Sequence, residues 1–205
     1  MNNRNEKIRN ILVPILSVIM GLVLGAILML SFGYNPITGY GSMLDAALGN
    51  QRSIGETLRQ ATPLIFTALG FSVANSAGFF NIGLSGQALA GWLTSVWVAL
   101  LLPELPKLVL LPLAVLLGAL AGAVAAAIPG LLRAYFGTSE VIVTIMMNYI
   151  LLYVSTYMLQ SVMSESLRTS LDSSNQISAN ASLRLPWLTQ LFGGSRVNAG
   201  LILEI

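Results

Sequence analysis

The longest uncharged run constrains this chain most. Arg59 is the last charge before it and Glu104 the first after it, so residues 60–103 carry none. A helix needs about 20 apolar residues to cross a bilayer, so the run is long enough to cross twice. Within it lies Phe79-Phe80-Asn81-Ile82-Gly83-Leu84-Ser85-Gly86-Gln87, a short polar, glycine-bearing break where two crossings would meet. Gly83 and Gly86 are expected to let the backbone leave helical geometry without a Cβ penalty. Asn81 and Gln87 offer donors and acceptors for peptide groups that helix ends leave open. The residues admit two readings. One is a tight turn at the membrane surface. The other is a broken, partly re-entrant element lining a permeation path, since non-helical backbone at membrane depth needs protein or a watery cavity around it.

Composition sets the class. The 205 residues are 55% hydrophobic and 9% charged, with a mean hydropathy of +0.78, whereas soluble domains carry about 25% charged residues. An all-α, polytopic membrane protein is predicted, as a single transmembrane domain over residues 1–205. The net charge of +2 is scattered, without the clustered Lys and Arg of a nucleic-acid binder. With no cysteine and no histidine, the chain has no Ser-His-Asp triad, no Cys-His nucleophile and no His- or Cys-ligated metal site. No catalytic or metal-binding residue is assigned.

Five complete spans are expected. The run Ile11 to Phe32 follows a flank holding Arg4, Lys7 and Arg9, which places the N-terminus in the cytoplasm. Gly21 and Gly25 form a G-x-x-x-G pair that lets helices approach. Ile54, Leu58 and Thr62 share a helical face, predicting a short interfacial helix outside the membrane. Pro63 then sits at the start of the second span, whose Gly70, Ala74 and Gly78 form a small-residue stripe beside Ser72, Asn75 and Ser76. Those polar groups fit either interhelical hydrogen bonding or the lining of a solute path. The third span runs from Ala88 to Leu102 and carries Trp92 and Trp97.

The fourth span, about Leu108 to Leu132, repeats Gly118, Gly122, Ala126 and Gly130, with Ala119, Ala123 and Ala127 alongside. A helix so stripped of bulk is expected to be buried among others, and kinked near its inner end by Pro129. A cytoplasmic turn from Arg133 to Glu140 leads to the fifth span, Val141 to Met163. Thr138 or Ser139 would cap it and Glu140 would suit the helix dipole. Asn148 lies mid-span, and Tyr149, Tyr153 and Tyr157 make an aromatic stripe, read as packing or lipid contact with stacking on a flat solute as the alternative. Ser164 to Ser195 is a polar external loop whose Pro186-Trp187-Leu188 would touch headgroups. At Val197 a sixth span is predicted to begin, and it reaches only Ile205. The positive-inside count is otherwise indecisive, because Arg52, Arg59, Lys107, Arg168, Arg184 and Arg196 would all lie outside.

No assigned span has an interior ionisable side chain, and no G-x-x-x-x-G-K-[ST] phosphate loop is present. Energy for uphill transport would have to enter through another subunit. The candidate path residues are Asn75, Asn81, Gln87 and Asn148.

Phe80-Asn81-Ile82-Gly83-Leu84-Ser85-Gly86-Gln87 resembles the F-N-I-G-x-x-G-Q hallmark of bacterial ABC importer permeases of the simple-sugar, nucleoside and branched-chain amino acid group. Gly137-Thr138-Ser139-Glu140-Val141-Ile142-Val143-Thr144-Ile145-Met146-Met147-Asn148-Tyr149-Ile150 resembles a second signature, G-T-x-E-V-I-x-T-I-M-x-N-Y-I, typical of the nucleoside branch. Ser85, where the family often has an acid, and Met147, where leucine is common, depart from the pattern. The resemblance covers Ile11 to Ile205. It implies a multi-pass permease of the bacterial cytoplasmic membrane for nucleosides, with simple sugars second. It also implies a partner ATPase that binds ATP, a second permease subunit and an extracellular lipid-anchored solute-binding protein. Members continue for several more helices, so the chain is expected to be an N-terminal portion, truncated at its C-terminus. A passive channel with a re-entrant filter is the competing reading, and it predicts no ATPase.

Overall fold

The computed structural model describes the backbone of residues 3–171 and 173–200, with side chains from residue 12 onward. The basic flank of Arg4, Lys7 and Arg9 and the tail 201–205 therefore lie outside the described side chains.

Among the described residues the fold is mostly helical, with one short hairpin. In chain order come α1 (Asn3–Ser31), α2 (Pro36–Leu48), α3 (Gln51–Ser76), α4 (Leu84–Leu101), α5 (Lys107–Phe136) and α6 (Glu140–Tyr157). A π-turn, Met158–Val162, prolongs α6. Among the described residues four helical stretches are long and apolar enough to cross a membrane: Leu12–Ser31, Leu84–Leu101, Lys107–Phe136 and Glu140–Val162. The expected second span is not among them. It is instead the later part of α3, one helix of 26 residues that runs straight through Pro63. Arg52, Glu56 and Arg59 in its first third lower its apolar content. The expected interfacial helix is thus split between α2 and the start of α3. Asn35 and Asn50 set these starts: Asn35 Oδ1 accepts from the Ile37 amide at 2.9 Å and Asn50 Oδ1 from the Ser53 amide at 2.8 Å.

α4 and α5 make the most extensive helix–helix contact, and their glycines explain it. A Cβ on Gly91 would come within 2.9 Å of the Gly118 carbonyl oxygen, and the Ser95 hydroxyl donates to the Ala114 carbonyl at 2.9 Å. Backbones this close gain dispersion contacts that bulkier residues would prevent. Only one side of α5 is used. Leu110, Ala114, Gly118, Ala125 and Pro129 are buried, whereas Ala119, Ala123 and Ala127 are exposed. α5 remains helical through Pro112 and Pro129. In α1, Gly25 makes room for Tyr40 of α2, whose hydroxyl donates to the Leu22 carbonyl at 2.7 Å; Gly21 has nothing near it.

The polar stretch after α6 is a folded cap rather than an open loop. It contains the antiparallel strands β1 (Arg168–Ser170) and β2 (Ser173–Ser174), single 3-10 turns at Glu165–Leu167 and Ala179–Ala181, and α7 (Pro186–Leu191). Met163, Leu188, Ser195 and Val197 are its buried centre. Arg168 donates to the Leu159 and Gln160 carbonyls at the end of the prolonged α6, where a cation suits the helix dipole. The cap also grips neighbouring elements: Asn180 Nδ2 donates to the Leu105 carbonyl at 3.1 Å, and the Arg196 amide to Glu56 Oε1 at 2.9 Å. Trp187 is exposed, but Leu188 beside it is buried. Of the apolar run predicted to begin a sixth span, Val197 fills the cap and Asn198 pairs with Arg184, while 201–205 lie outside the described residues.

A candidate solute-path wall at the α3–α4 connection

The cap lies at one end of the helices; the chain breaks between α3 and α4 at the other. α3 closes on Gly78, whose φ of +73° is left-handed. The Phe79 amide bonds the Ala74 carbonyl at 2.9 Å and the Gly78 amide bonds the Asn75 carbonyl at 3.0 Å. This is the paired pattern of a Schellman stop, in which glycine removes the Cβ penalty. The left-handed residue of the break is therefore Gly78, assigned from sequence to a packing stripe. Gly83, expected to supply the unusual backbone, has an ordinary φ of −78°, and Gly86 lies inside α4. Both are needed for closeness instead. A Cβ on Gly83 would meet Asn81 Oδ1 at 3.0 Å, and one on Gly86 would meet the Asn148 Cα and Leu151 Cδ1 at 3.0 Å.

The connection packs on α6 and is hydrogen-bonded by it. Thr144, fully buried, donates its hydroxyl to the Glu140 carbonyl at 2.7 Å and accepts from the Ile82 amide at 3.3 Å. One turn on, Asn148 Nδ2 donates to the Ile82 carbonyl and its Oδ1 accepts from the Gly86 amide, both at 2.9 Å. The N-cap of α4 is Gly83, which has no side chain to cap with. Asn148 supplies that cap from another helix, meeting an N–H that α4 itself cannot satisfy. Within the connection, Asn81 Oδ1 accepts from the Gly83 amide at 2.8 Å, and the Asn81 and Gln87 amides pair reciprocally at 3.0 and 3.3 Å. Asn81 is 6% exposed. With about 1.5 Å of rise per residue, Asn148 stands roughly 12 Å along α6 from Glu140. The connection at Ile82 thus lies inward of Glu140 along α6, and side chains of the protein satisfy its backbone.

At the outer edge of this clasp the α5–α6 turn closes over the same connection. Gly137 ends α5 with a left-handed φ of +63°. Arg133 forms an ion pair with Glu140 and places its guanidinium 5.7 Å from the Phe79 ring centroid, an attractive cation–π arrangement. Ser139 occupies the N-cap of α6 but makes no side-chain capping bond, and the buried Thr138 hydroxyl makes none either. The expected Ser or Thr cap is therefore absent, and Glu140 in the first turn meets the dipole alone.

Of the sequence-derived candidates, Asn81, Gln87, Asn148, Gly83 and Gly86 converge in the clasp, with Arg133 and Glu140 at its rim. Asn75 does not join them: it is exposed on the last turn of α3 and its side chain makes no hydrogen bond among the described residues. Ser72 and Ser76, weighed for interhelical bonding, instead donate to the Ala68 and Ser72 carbonyls of their own helix at 2.9 and 2.8 Å. Thr144 and Gly78 were missed as site residues. The Thr144 signal was present in its four-residue spacing from Asn148 on one helical face.

Between α4 and α6 the clasp leaves an open groove of about 390 Å³, walled by Ser85, Leu89, Ile145, Asn148, Tyr149 and Leu152 among others. Residues 53–191 match the family described as branched-chain amino acid transport system / permease component. The chain is 52% identical over 203 residues to the nucleoside ABC transporter permease protein NupB of Lactococcus lactis subsp. cremoris, covering 98% of this chain and 56% of that one. It is 40% identical over 200 residues to the guanosine ABC transporter permease protein NupP of Bacillus subtilis, with the same two coverages. It is 35% identical over 150 residues to the glucose ABC transporter permease protein TsgB13 of Haloferax volcanii, covering 73% of this chain and 39% of the other. The chain thus spans about half the length of the curated relatives it matches best among these. No solved structure matches it.

Proposed function

The chain belongs to the branched-chain amino acid transport system permease family, and on that premise we propose that it forms part of the membrane path of an ABC importer for nucleosides. The observation that carries this reading is the 52% identity to a nucleoside permease along 98% of the chain. The clasp is compatible with it, since the two segments that resemble the family signatures form one hydrogen-bonded unit at the wall of a groove. In this proposal Asn81, Gln87 and Asn148 shape the wall of the path, and Arg133 and Glu140 hold the turn beside it. ATP is bound and hydrolysed by a partner ATPase. A second permease subunit and an extracellular lipid-anchored solute-binding protein complete the system in the bacterial cytoplasmic membrane. With the later part of α3 crossing beside the four apolar stretches, the N-terminus and the Arg133–Glu140 turn face the cytoplasm and the cap faces outward.

Two measurements test the proposal. Cells carrying the complete system should accumulate labelled guanosine or uridine in preference to glucose, and deletion of this chain should abolish that uptake. Preferential glucose uptake would favour the sugar reading instead. Single cysteines at Thr138 and Asn175 should react with an impermeant thiol reagent in intact cells at position 175 only; labelling at 138 would invert the orientation.

A further inference from the structure

We propose that the groove between α4 and α6 is a subsite for the aromatic base of an uncharged nucleoside, with Tyr149 as the stacking wall and Ser85 as the polar contact. The inference rests on the nucleoside reading above and adds to it the residues that meet the solute. The volume of about 390 Å³ falls within the roughly 300–1,000 Å³ of small-molecule clefts. No charged side chain lines the groove, which suits a neutral solute. Leu89, Ile145 and Leu152 supply apolar wall. Tyr149 is the member of the Tyr149, Tyr153 and Tyr157 stripe that lines the groove, and base–aromatic stacking is the sequence-tolerant way to hold a flat ring.

The polar groups discriminate further. Asn148 reaches the groove, but its Oδ1 is engaged by the Gly86 amide and its Nδ2 by the Ile82 carbonyl. Asn81 and Gln87 are likewise committed to each other and to Gly83. The amides that look from sequence like solute ligands are already engaged in holding the wall. The Ser85 hydroxyl and the Tyr149 phenol are exposed and make no hydrogen bond among the described residues. A floor carrying free hydroxyls is a poor surface for lipid tails.

The absence of cysteine makes the test direct. Ser85→Cys is introduced into the complete transport system and probed in inside-out membrane vesicles with an impermeant methanethiosulfonate, labelling being read from the mass of the peptide. The thiol should react, and guanosine should slow the reaction at least fivefold while ribose leaves it unchanged. An unreactive thiol, as expected if other helices cover the groove, would overturn the proposal, and so would reaction at the same rate with guanosine present. Independently, Tyr149→Leu should raise the KM for guanosine uptake about tenfold, equivalent to about 1.4 kcal/mol, with kcat little changed. Tyr149→Phe, which keeps the ring, should stay within twofold. An unchanged KM in Tyr149→Leu counts against the subsite. If the parent system takes up guanosine while both arms fail, the subsite alone is lost. If the parent takes up no nucleoside, the proposed function and the subsite fall together.

Discussion

Replacing Asn148 with leucine isolates the energy of the clasp. Leucine has nearly the shape of asparagine but neither its donor nor its acceptor, so α4–α6 packing is preserved while two hydrogen bonds of 2.9 Å are lost, to Ile82 and Gly86. Interhelical hydrogen bonds within membranes average about 0.6 kcal/mol and reach about 1.7. Two of them give roughly 1–3 kcal/mol. The upper half of that range is expected here, for a structural reason. Gly86 is buried in the first turn of α4, where its N–H has no acceptor in its own helix, and leaving such a group unmet costs about 1–3 kcal/mol. The folded-to-unfolded ratio should therefore fall roughly 30- to 150-fold. The assay is the denaturation midpoint of the purified protein in mild detergent against added denaturing detergent. Tyr153→Leu, on the same helix at a position 71% exposed, is the control and should stay within about 0.5 kcal/mol of the parent. Equal midpoints for Asn148→Leu and Tyr153→Leu would refute the clasp as the tie between α4 and α6.

Gly86→Ala should destabilise by about 1–3 kcal/mol in the same assay, because the new methyl would stand 3.0 Å from the Asn148 Cα; Gly21→Ala, with nothing near it, should be neutral or slightly stabilising. Arg133→Glu and Glu140→Arg should each loosen the α5–α6 turn, seen as faster proteolysis there, and the double exchange should restore part of the protection, since Phe79 keeps its preference for a cation above the ring. The pH dependence of the cap should follow Glu56. The Arg196 amide first, and then Arg59, hold its carboxyl below the ordinary 4.5, so its contribution is complete above that value and disappears as pH falls through the lowered one. Proteolytic protection of residues near Arg196 should therefore survive at pH 5 and be lost in stronger acid, while Glu56→Gln should show the weakened state already at pH 7.

Much of this molecule follows from residue order alone. Continuous apolar runs leave backbone polar groups with no partner in lipid except their own helix, so the four spanning stretches and their ends near Phe32, Leu102 and Val162 were legible from hydropathy and turn residues, whereas α5 runs a turn past the expected Leu132 to Phe136. The grouping of Asn81, Gln87, Gly83 and Gly86 was visible too, because they lie within seven positions. The start of the second span was misplaced since Pro63 looks like a start only if the preceding turn is not helical, and Asn50 had already capped a helix that runs through it.

What each polar group does was decided by tertiary structure. A side chain's partners across 62 or 66 positions, as between Asn148 and the Gly86 amide or Ile82 carbonyl, leave no local pattern. The same is true of Gly86, whose need for a missing Cβ comes from the Asn148 backbone rather than from its own dihedrals. Val197 and Arg196 belong to the cap because Glu56, far back in the chain, and the buried cap interior receive them. Local sequence specifies which groups must be satisfied. Only the packing of α4 against α6, and of the cap on α3, determines which distant residue satisfies them.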